Sequence, residues 1–193
     1  MTSIANSYSE NRKFDNAAIA LNPLTKGEYE NCTFTGCDLS NADLSGFRFA
    51  DCLFNGCNLS MAMLKKTSFQ NVAFTGCKML GLNFGDCNIF NISFRFNNCM
   101  LDHSSFYQLK IKKTTFTNSR MLETDLSECD LTASVFDNCD LSRAQFDHTI
   151  LEKADFRTAF GYSIDPENNR IRKAKFSLSG VGGLLGKYDI ELE

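Results

Sequence analysis

The residues best suited to chemistry in this sequence are nine cysteines and two histidines. Thiolates and imidazoles bind zinc or act as nucleophiles and bases, and their spacing indicates which role is available. Structural zinc sites use paired Cys-x-x-Cys spacings, and no such pair occurs here. His103 and His148 have no cysteine or carboxylate pattern near them that is typical of a catalytic relay. The sequence therefore predicts no catalytic residue, no cofactor and no metal ligand, and it does not indicate an enzyme.

The cysteines instead follow a repeat, because each lies two residues before a large apolar residue at a fixed period. They are Cys32, Cys37, Cys52, Cys57, Cys77, Cys87, Cys99, Cys129 and Cys139. An odd number of cysteines, in a chain whose first residues have no apolar secretion signal, predicts free thiols in a reducing compartment. We therefore expect core thiols in a cytoplasmic protein, with Cys37, Cys57 and Cys77 stacked on one another.

The repeat has a period of five residues. A large apolar residue returns at every fifth position from Phe34 to Phe94 and, after a shift of two residues, from Leu101 to Phe156. On an α-helix successive members would rotate by about 140° and leave any single face. On a flat strand they would alternate between the two faces, because five is odd. The chain must therefore turn once in every repeat.

Phenylalanines show how many turns close one coil. They recur at intervals of twenty residues in two series, Phe14, Phe34, Phe54, Phe74, Phe94 and Phe116, Phe136, Phe156, Phe176. Four repeats per coil predict an all-β, four-sided parallel β-helix of about eight coils, with a column of aromatic rings inside. The step of twenty-two residues between the two series predicts a two-residue bulge near residues 95–99, where Phe96 is expected to be exposed.

The repeat also predicts how the chain is organised. Residues 1–13 are polar and are expected to be flexible, and residues 14–160 form the β-helix, with an irregular first coil over residues 14–31. Residues 161–193 are expected to hold the last coil and a capping tail. The apolar residues of this tail, which we expect to pair two chains in a homodimer, are Val181, Leu184, Leu185, Tyr188 and Ile190.

Acidic residues are concentrated between residues 123 and 155. They are Glu123, Asp125, Glu128, Asp130, Asp137, Asp140, Asp147, Glu152 and Asp155. One interpretation is that outward positions must be polar and that several aspartates occupy a fixed slot of the repeat. The other is an acidic surface that attracts a basic protein partner. The net charge of −3 gives no reason to expect direct nucleic-acid binding, and no apolar run is long enough for a membrane helix.

Three segments carry a resemblance to a known family: CDLSNADLSGF from Cys37, CDLTASVFDNCDLSRAQF from Cys129 and KADFRTAF from Lys153. They resemble the A(D/N)LXX units of the pentapeptide-repeat family over at least residues 32–158. The resemblance implies a right-handed quadrilateral β-helix. Among family members the architecture is most similar to the Qnr-type quinolone-resistance proteins, which are dimers joined through C-terminal segments and which mimic DNA for DNA gyrase or topoisomerase IV.

Two functions follow as hypotheses. The first is a non-catalytic protein-interaction module whose partner is not identified. The alternative is a DNA mimic that binds a type II topoisomerase. Three features depart from the second hypothesis: the net charge of −3 is mild, residues 65–113 have seven basic and two acidic residues, and the single internal insertion is two residues long.

Overall fold

Each five-residue repeat forms one side of a coil, and four sides complete one turn of about twenty residues. The computed structural model describes residues 7–188, 190 and 191, which form a β-solenoid of about eight turns. Every strand pair is parallel. The strands are β1 Ser7–Glu10, β2 Lys13–Asp15, β3 Gly27–Glu30, β4 Thr33–Thr35, β5 Arg48–Ala50, β6 Leu53–Asn55, β7 Ser68–Gln70, β8 Val72–Thr75, β9 Phe94–Asn97, β10 Thr115–Thr117, β11 Val135–Asp137, β12 Asp155–Phe156 and β13 Lys175–Phe176. Helix α1 is Asn16–Leu21, and short 3-10 helices are Phe84–Asp86, Val181–Leu184 and Gly186–Tyr188.

Each side of the solenoid has one inward residue per coil, and we number the sides 1 to 4 in the order in which the chain passes through them. Side 1 contains β1, β3, β5 and β7, and side 2 contains the nine-stranded sheet from β2 to β13. Sides 3 and 4 are held by isolated parallel bridges, such as Asp38 to Asn58 on side 3 and Asp125 to Gln145 on side 4. The fold predicted from the five-residue and twenty-residue periods is confirmed.

A recurring turn explains why the chain bends after each repeat. The residue two places after the inward one has positive φ, as in Met61 with φ 58°. The amide of the next residue, Ala62, donates a hydrogen bond to the carbonyl of the inward Leu59 at 3.1 Å. A positive φ at the third position of a hydrogen-bonded four-residue turn reverses the chain in a tight corner.

The aromatic column on side 2 runs the length of the solenoid. Neighbouring rings are stacked, with centroids 4.5 Å apart for Phe34 and Phe54 and 5.1 Å apart for Phe54 and Phe74. The nine rings are Phe14, Phe34, Phe54, Phe74, Phe96, Phe116, Phe136, Phe156 and Phe176. The predicted column is confirmed, with Phe96 in the place that the sequence assigned to Phe94.

The prediction that Phe96 is exposed in a bulge at residues 95–99 is wrong. Phe96 is 1% exposed and stacks between Phe74 and Phe116, whereas the irregular segment is residues 88–93, ahead of β9. Because the two extra residues precede β9, residue 96 falls in register with Phe74. Phe94 also turns inward and contacts Phe84, with ring centroids 5.3 Å apart.

The expectation of a flexible segment over residues 1–13 is wrong for the part that the structure describes. Strand β1 pairs with β3 over four residues, and the hydroxyl of Tyr8 donates a hydrogen bond to Glu30 at 2.8 Å. Asp15 then caps α1 by accepting a hydrogen bond from the amide of Ala18 at 2.8 Å. The apolar period does not predict this strand, because β1 pairs through its backbone and buries only the polar side chain of Ser9. Residues 1–6, Asp189, Leu192 and Glu193 lie outside the described residues.

All nine cysteines are free and buried. At the corner between sides 2 and 3, four cysteines follow one another from coil to coil, and each donates a hydrogen bond to a carbonyl of the coil before; they are Cys37, Cys57, Cys77 and Cys99. The Sγ atom of Cys57 lies 3.4 Å from the carbonyl oxygen of Phe34, and that of Cys77 lies 3.3 Å from Phe54. The predicted ladder of Cys37, Cys57 and Cys77 is confirmed, and Cys99 extends it.

Candidate interaction surfaces

The nine acidic residues between 123 and 155 do not form one surface. Because successive repeats lie on successive sides, residues close in sequence are separated around the solenoid. Side 1 carries Asp130 and Glu152, side 2 carries Asp137 and Asp155, side 3 carries Asp140, side 4 carries Asp125 and Asp147, and the corners carry Glu123 and Glu128. The interpretation of these residues as a single acidic patch is corrected by this placement.

Four of these acids support the turns. Each precedes an inward residue and accepts a hydrogen bond from the amide two positions later. The acceptor and donor pairs are Asp125 with Ser127 at 3.0 Å, Asp130 with Thr132 at 3.1 Å, Asp140 with Ser142 at 3.0 Å and Asp155 with Arg157 at 3.2 Å. An aspartate in this slot closes an Asx turn, so its type is explained by the fold.

Several of the acids are also paired with cations. Glu123 lies 2.8 Å from Arg143, and Glu152 lies 2.7 Å from Arg170. Hydrogen bonds from Arg170 and then from Arg172 hold the pKa of Glu152 below its ordinary value. Such paired carboxylates offer little free negative charge to a partner.

Three of the acids that form no ion pair with a described Lys or Arg lie on side 4 and on its corner with side 1. The side chain of Asp147 is 59% exposed, and its carboxylate lies 3.0 Å from His148. The carboxylate of Glu128 accepts hydrogen bonds from Gln108 at 2.8 Å and from the hydroxyl of Tyr107 at 2.9 Å. The bonds from Gln108 and Tyr107 lower the pKa of Glu128, so the carboxylate stays charged. With Asp125 these residues form an acidic column, which we call the side 4 acidic column.

An apolar knuckle lies beside the acidic column. Ile89 and Phe90, in the irregular segment, are 70% and 68% exposed. Ile89 and Tyr107 line an open groove of about 400 Å³ that also includes Asp86 and Asp125. The five-residue period predicts an inward position for Ile89, and its exposure shows that this prediction is wrong. A sequence signal for the knuckle is that Phe94 and Phe96 are both aromatic. If Phe96 is the one that joins the column, the two extra residues must lie before Phe94.

The predicted tail residues lie at the C-terminal end. Val181, Tyr188 and Ile190 are 42%, 50% and 53% exposed, whereas Leu184 packs against the core and Leu185 is half-buried. Sequence reasoning missed Leu178, which is 95% exposed. The tail is held in place by Lys187, whose Nζ atom lies 2.8 Å from Asp165 and 2.6 Å from Glu167.

A second groove lies at the N-terminal end, between α1 and the first regular coil. It has a volume of about 350 Å³, and its apolar lining includes Ile19, Pro23, Leu24 and Phe47. Within residues 7–188, 190 and 191, no cluster of three or more His, Cys, Asp or Glu residues could hold a metal ion. No helix in the same part of the chain is long and apolar enough to cross a membrane.

Comparisons with known proteins identify the repeat. A family model described as a pentapeptide repeat region matches residues 28–95 and 93–159. No curated protein matches the sequence at a significant level.

Two solved structures of QnrB1 show the same fold. Two trypsin-treated variants of QnrB1, a plasmid-mediated fluoroquinolone resistance protein, align with TM-scores of 0.58 and 0.57. Both are 20% identical to this sequence, and the alignments cover 97% of this chain and 98% or 99% of QnrB1. HetL, a pentapeptide repeat protein from the cyanobacterium Nostoc sp. strain PCC 7120, is 15% identical over 87% of this chain and 84% of its own, with a TM-score of 0.38.

Proposed function

The chain belongs to the pentapeptide-repeat family, and on that premise we propose that it is a non-catalytic protein-interaction module of the cytoplasm. The observation that carries this proposal is the apolar knuckle, Ile89 and Phe90, beside the acidic column of side 4. Burying two large apolar side chains against a partner removes them from water, and neighbouring charge selects a partner of opposite sign. Nine buried free thiols support a reducing compartment.

The knuckle is tested by comparing what the protein captures. Ile89→Ser/Phe90→Ser removes the apolar contact, and both residues are exposed, so the fold is expected to remain. Met61→Ser/Met63→Ser is the matched control, because Met61 and Met63 are 61% and 54% exposed and do not line the groove beside the knuckle. In cross-linked pull-downs from a bacterial lysate, we expect the knuckle variant alone to lose a partner. Equal capture by all three proteins contradicts the proposal.

The second candidate partner is a bacterial type II topoisomerase, either DNA gyrase or topoisomerase IV. It is supported by the family resemblance and by the side 4 acidic column of Asp125, Glu128 and Asp147, whose carboxylates would take the place of DNA phosphates. Asp130 and Asp140 do not contribute to this column, because they lie on sides 1 and 3.

Purified enzymes test this candidate directly. We expect the wild-type protein to bind gyrase or topoisomerase IV at low salt and to change supercoiling with and without ciprofloxacin. Asp147→Lys/Glu128→Lys is expected to abolish the effect, and Glu152→Lys on side 1 is the control. If nothing binds at low salt, where charge attraction is strongest, the DNA-mimic function is excluded.

We also propose that two chains associate through the C-terminal end. The exposed residues Leu178, Val181 and Tyr188 support this proposal. A strand at the end of a solenoid exposes unpaired backbone groups, and among the described strands β13 pairs only with β12. A second chain would cover that edge and the apolar residues around it, in a symmetric dimer.

A further inference from the structure

Positive charge is collected on one part of the surface, although the whole chain is acidic. Side 1 and its corner with side 2, over the last four coils, expose Lys110, Lys113, Lys153, Arg170, Arg172 and Lys173. We call this surface the basic strip. The residues come from three distant parts of the sequence, the basic runs KIKK from Lys110 and RIRK from Arg170 and the single Lys153, and the winding of the chain brings them onto one side.

The carboxylates within the basic strip are recessed below its cations. The side chains of Asp130 and Glu152 are 11% and 16% exposed, whereas those of Arg170 and Arg172 are 66% and 74% exposed. Asp130 is further engaged by Thr132, whose hydroxyl donates a hydrogen bond to it at 2.6 Å. The outer layer of the strip is therefore cationic, and the neutralising charges lie beneath it.

Three corner lysines form a straight row along the solenoid. The amide of Lys113 bonds to the carbonyl of Thr132, and that of Lys153 bonds to Arg172, so the corners are stacked coil on coil. With a rise of about 4.8 Å per coil, Lys113, Lys153 and Lys173 span about 15 Å. None of the three forms an ion pair with any residue that the structure describes.

The composition of the basic strip indicates the partner. Protein interfaces are centred on large apolar or aromatic anchors, and single-stranded nucleic acids are bound by aromatic stacking. None of the large apolar side chains exposed in the described residues lies on the strip. A flat cationic row without anchors fits the phosphate backbone of a duplex, which is recognised by charge alone.

We propose that the basic strip binds the phosphate backbone of double-stranded nucleic acid without reading its base sequence. The side 4 acidic column, on the neighbouring side, repels the duplex and leaves the strip as the docking side. The expectation of no nucleic-acid binding was based on the net charge of −3, which averages over sides of opposite charge. The binding is separate from the knuckle and does not depend on the proposed protein partner.

Fluorescence anisotropy with a labelled DNA duplex of random sequence tests the proposal. We expect binding to weaken with salt, with a slope of log affinity against log salt of about −3 for three to four phosphate contacts. Lys113→Gln/Lys153→Gln/Lys173→Gln is expected to weaken binding at least about tenfold, because it removes the whole row. The control Lys65→Gln/Lys66→Gln/Lys78→Gln changes the net charge equally and is expected to bind like the wild type.

Each other outcome overturns the proposal. If both triple variants lose affinity equally, binding depends on net charge and not on the basic strip. If polyglutamate of equal charge, or vesicles rich in anionic lipid, compete as well as unlabelled duplex, the strip recognises an acidic protein or a membrane. If the wild type does not bind duplex at low salt, the strip has no nucleic-acid function. Circular dichroism of the variants checks that the fold is retained.

Discussion

At the scale of single residues, the phenylalanine column stabilises the solenoid. Phe74 is fully buried and stacks on Phe54 and Phe96, with centroid distances of 5.1 and 5.4 Å. Phe74→Ala leaves a cavity that two stacked rings cannot close, so we expect the free energy of unfolding to fall by about 3–5 kcal/mol. Urea denaturation of the wild type and the variant measures this difference in the free energy of unfolding. The control Phe90→Ala removes an exposed ring and is expected to lower the free energy of unfolding by less than about 0.5 kcal/mol. An equal loss of stability in the two variants would contradict a stabilising role of the column.

The buried thiols make a second prediction at this scale. Burial raises the pKa of Cys52 and of Cys129 to about 12, and that of Cys139 to about 11. A hydrogen bond from Cys77 lowers the pKa of Cys57 to about 7, but all nine thiols are buried, so the reagent cannot reach them. The native protein is therefore expected to react very slowly with Ellman's reagent at pH 8. In denaturant, all nine thiols of the chain should react. Rapid labelling of several thiols without denaturant would show that the core is not closed.

The sequence predicts the column but not every member of it. Phe94 and Phe96 lie two residues apart in an extended strand, so both can point inward, and the period alone does not decide which joins the column. Phe94 is 4% exposed and Phe96 is 1% exposed. The register is decided by pairing with β8 and β10, which is a contact between coils that a single repeat does not contain.

At the scale of elements, the turns depend on ionised aspartates. The hydroxyl and then the amide of Ser40 lower the pKa of Asp38, and those of Ser45 lower the pKa of Asp43. A carboxyl whose pKa is lower in the folded state stabilises the fold above its unfolded pKa of about 4. This contribution is lost as the pH falls through the folded pKa. We therefore expect stability to fall as the pH drops below about 4.

Denaturation at a series of pH values measures this fall. The variant Asp38→Asn/Asp43→Asn keeps an acceptor oxygen at each position but has no group that titrates there. An asparagine can accept this bond, since Asn58 accepts one from the amide of Ser60 at 3.1 Å. Its stability is expected to depend less steeply on pH below 4 than that of the wild type. Parallel curves for the two proteins would show that these carboxylates do not contribute.

The elements that the sequence missed are those without the apolar period. Strand β1 has the sequence SYSE and buries only Ser9, so its side chains contain no repeat signal. Backbone hydrogen bonds to β3 and the hydrogen bond from Tyr8 to Glu30 hold β1 in place. The change of phase predicts the bulge but places it too late in the sequence, because residues 88–93 keep an apolar residue, Ile89, at the five-residue spacing.

At the scale of the whole molecule, winding redistributes charge. Asp130, Asp137 and Asp140 lie within eleven residues of sequence, yet they are on sides 1, 2 and 3. Lys113 and Lys173 are sixty residues apart and share one corner. Summing the charges of a sequence segment therefore gives the charge of one or two coils, spread over all four sides. It does not give the charge of any one surface. The candidate surfaces become visible only when the chain is divided by sides.

The proposed dimer makes the last prediction. Leu178 is 95% exposed at the C-terminal end, and Leu21 is 81% exposed at the opposite end, so the two are matched in type and exposure. If the C-terminal ends pair, a charge at position 178 is buried without a partner, and Leu178→Asp is expected to shift the protein from dimer to monomer. Leu21→Asp should leave the dimer intact. Sedimentation over a range of concentrations measures both. A wild-type monomer at all concentrations, or equal dissociation of the two variants, would contradict association through this end.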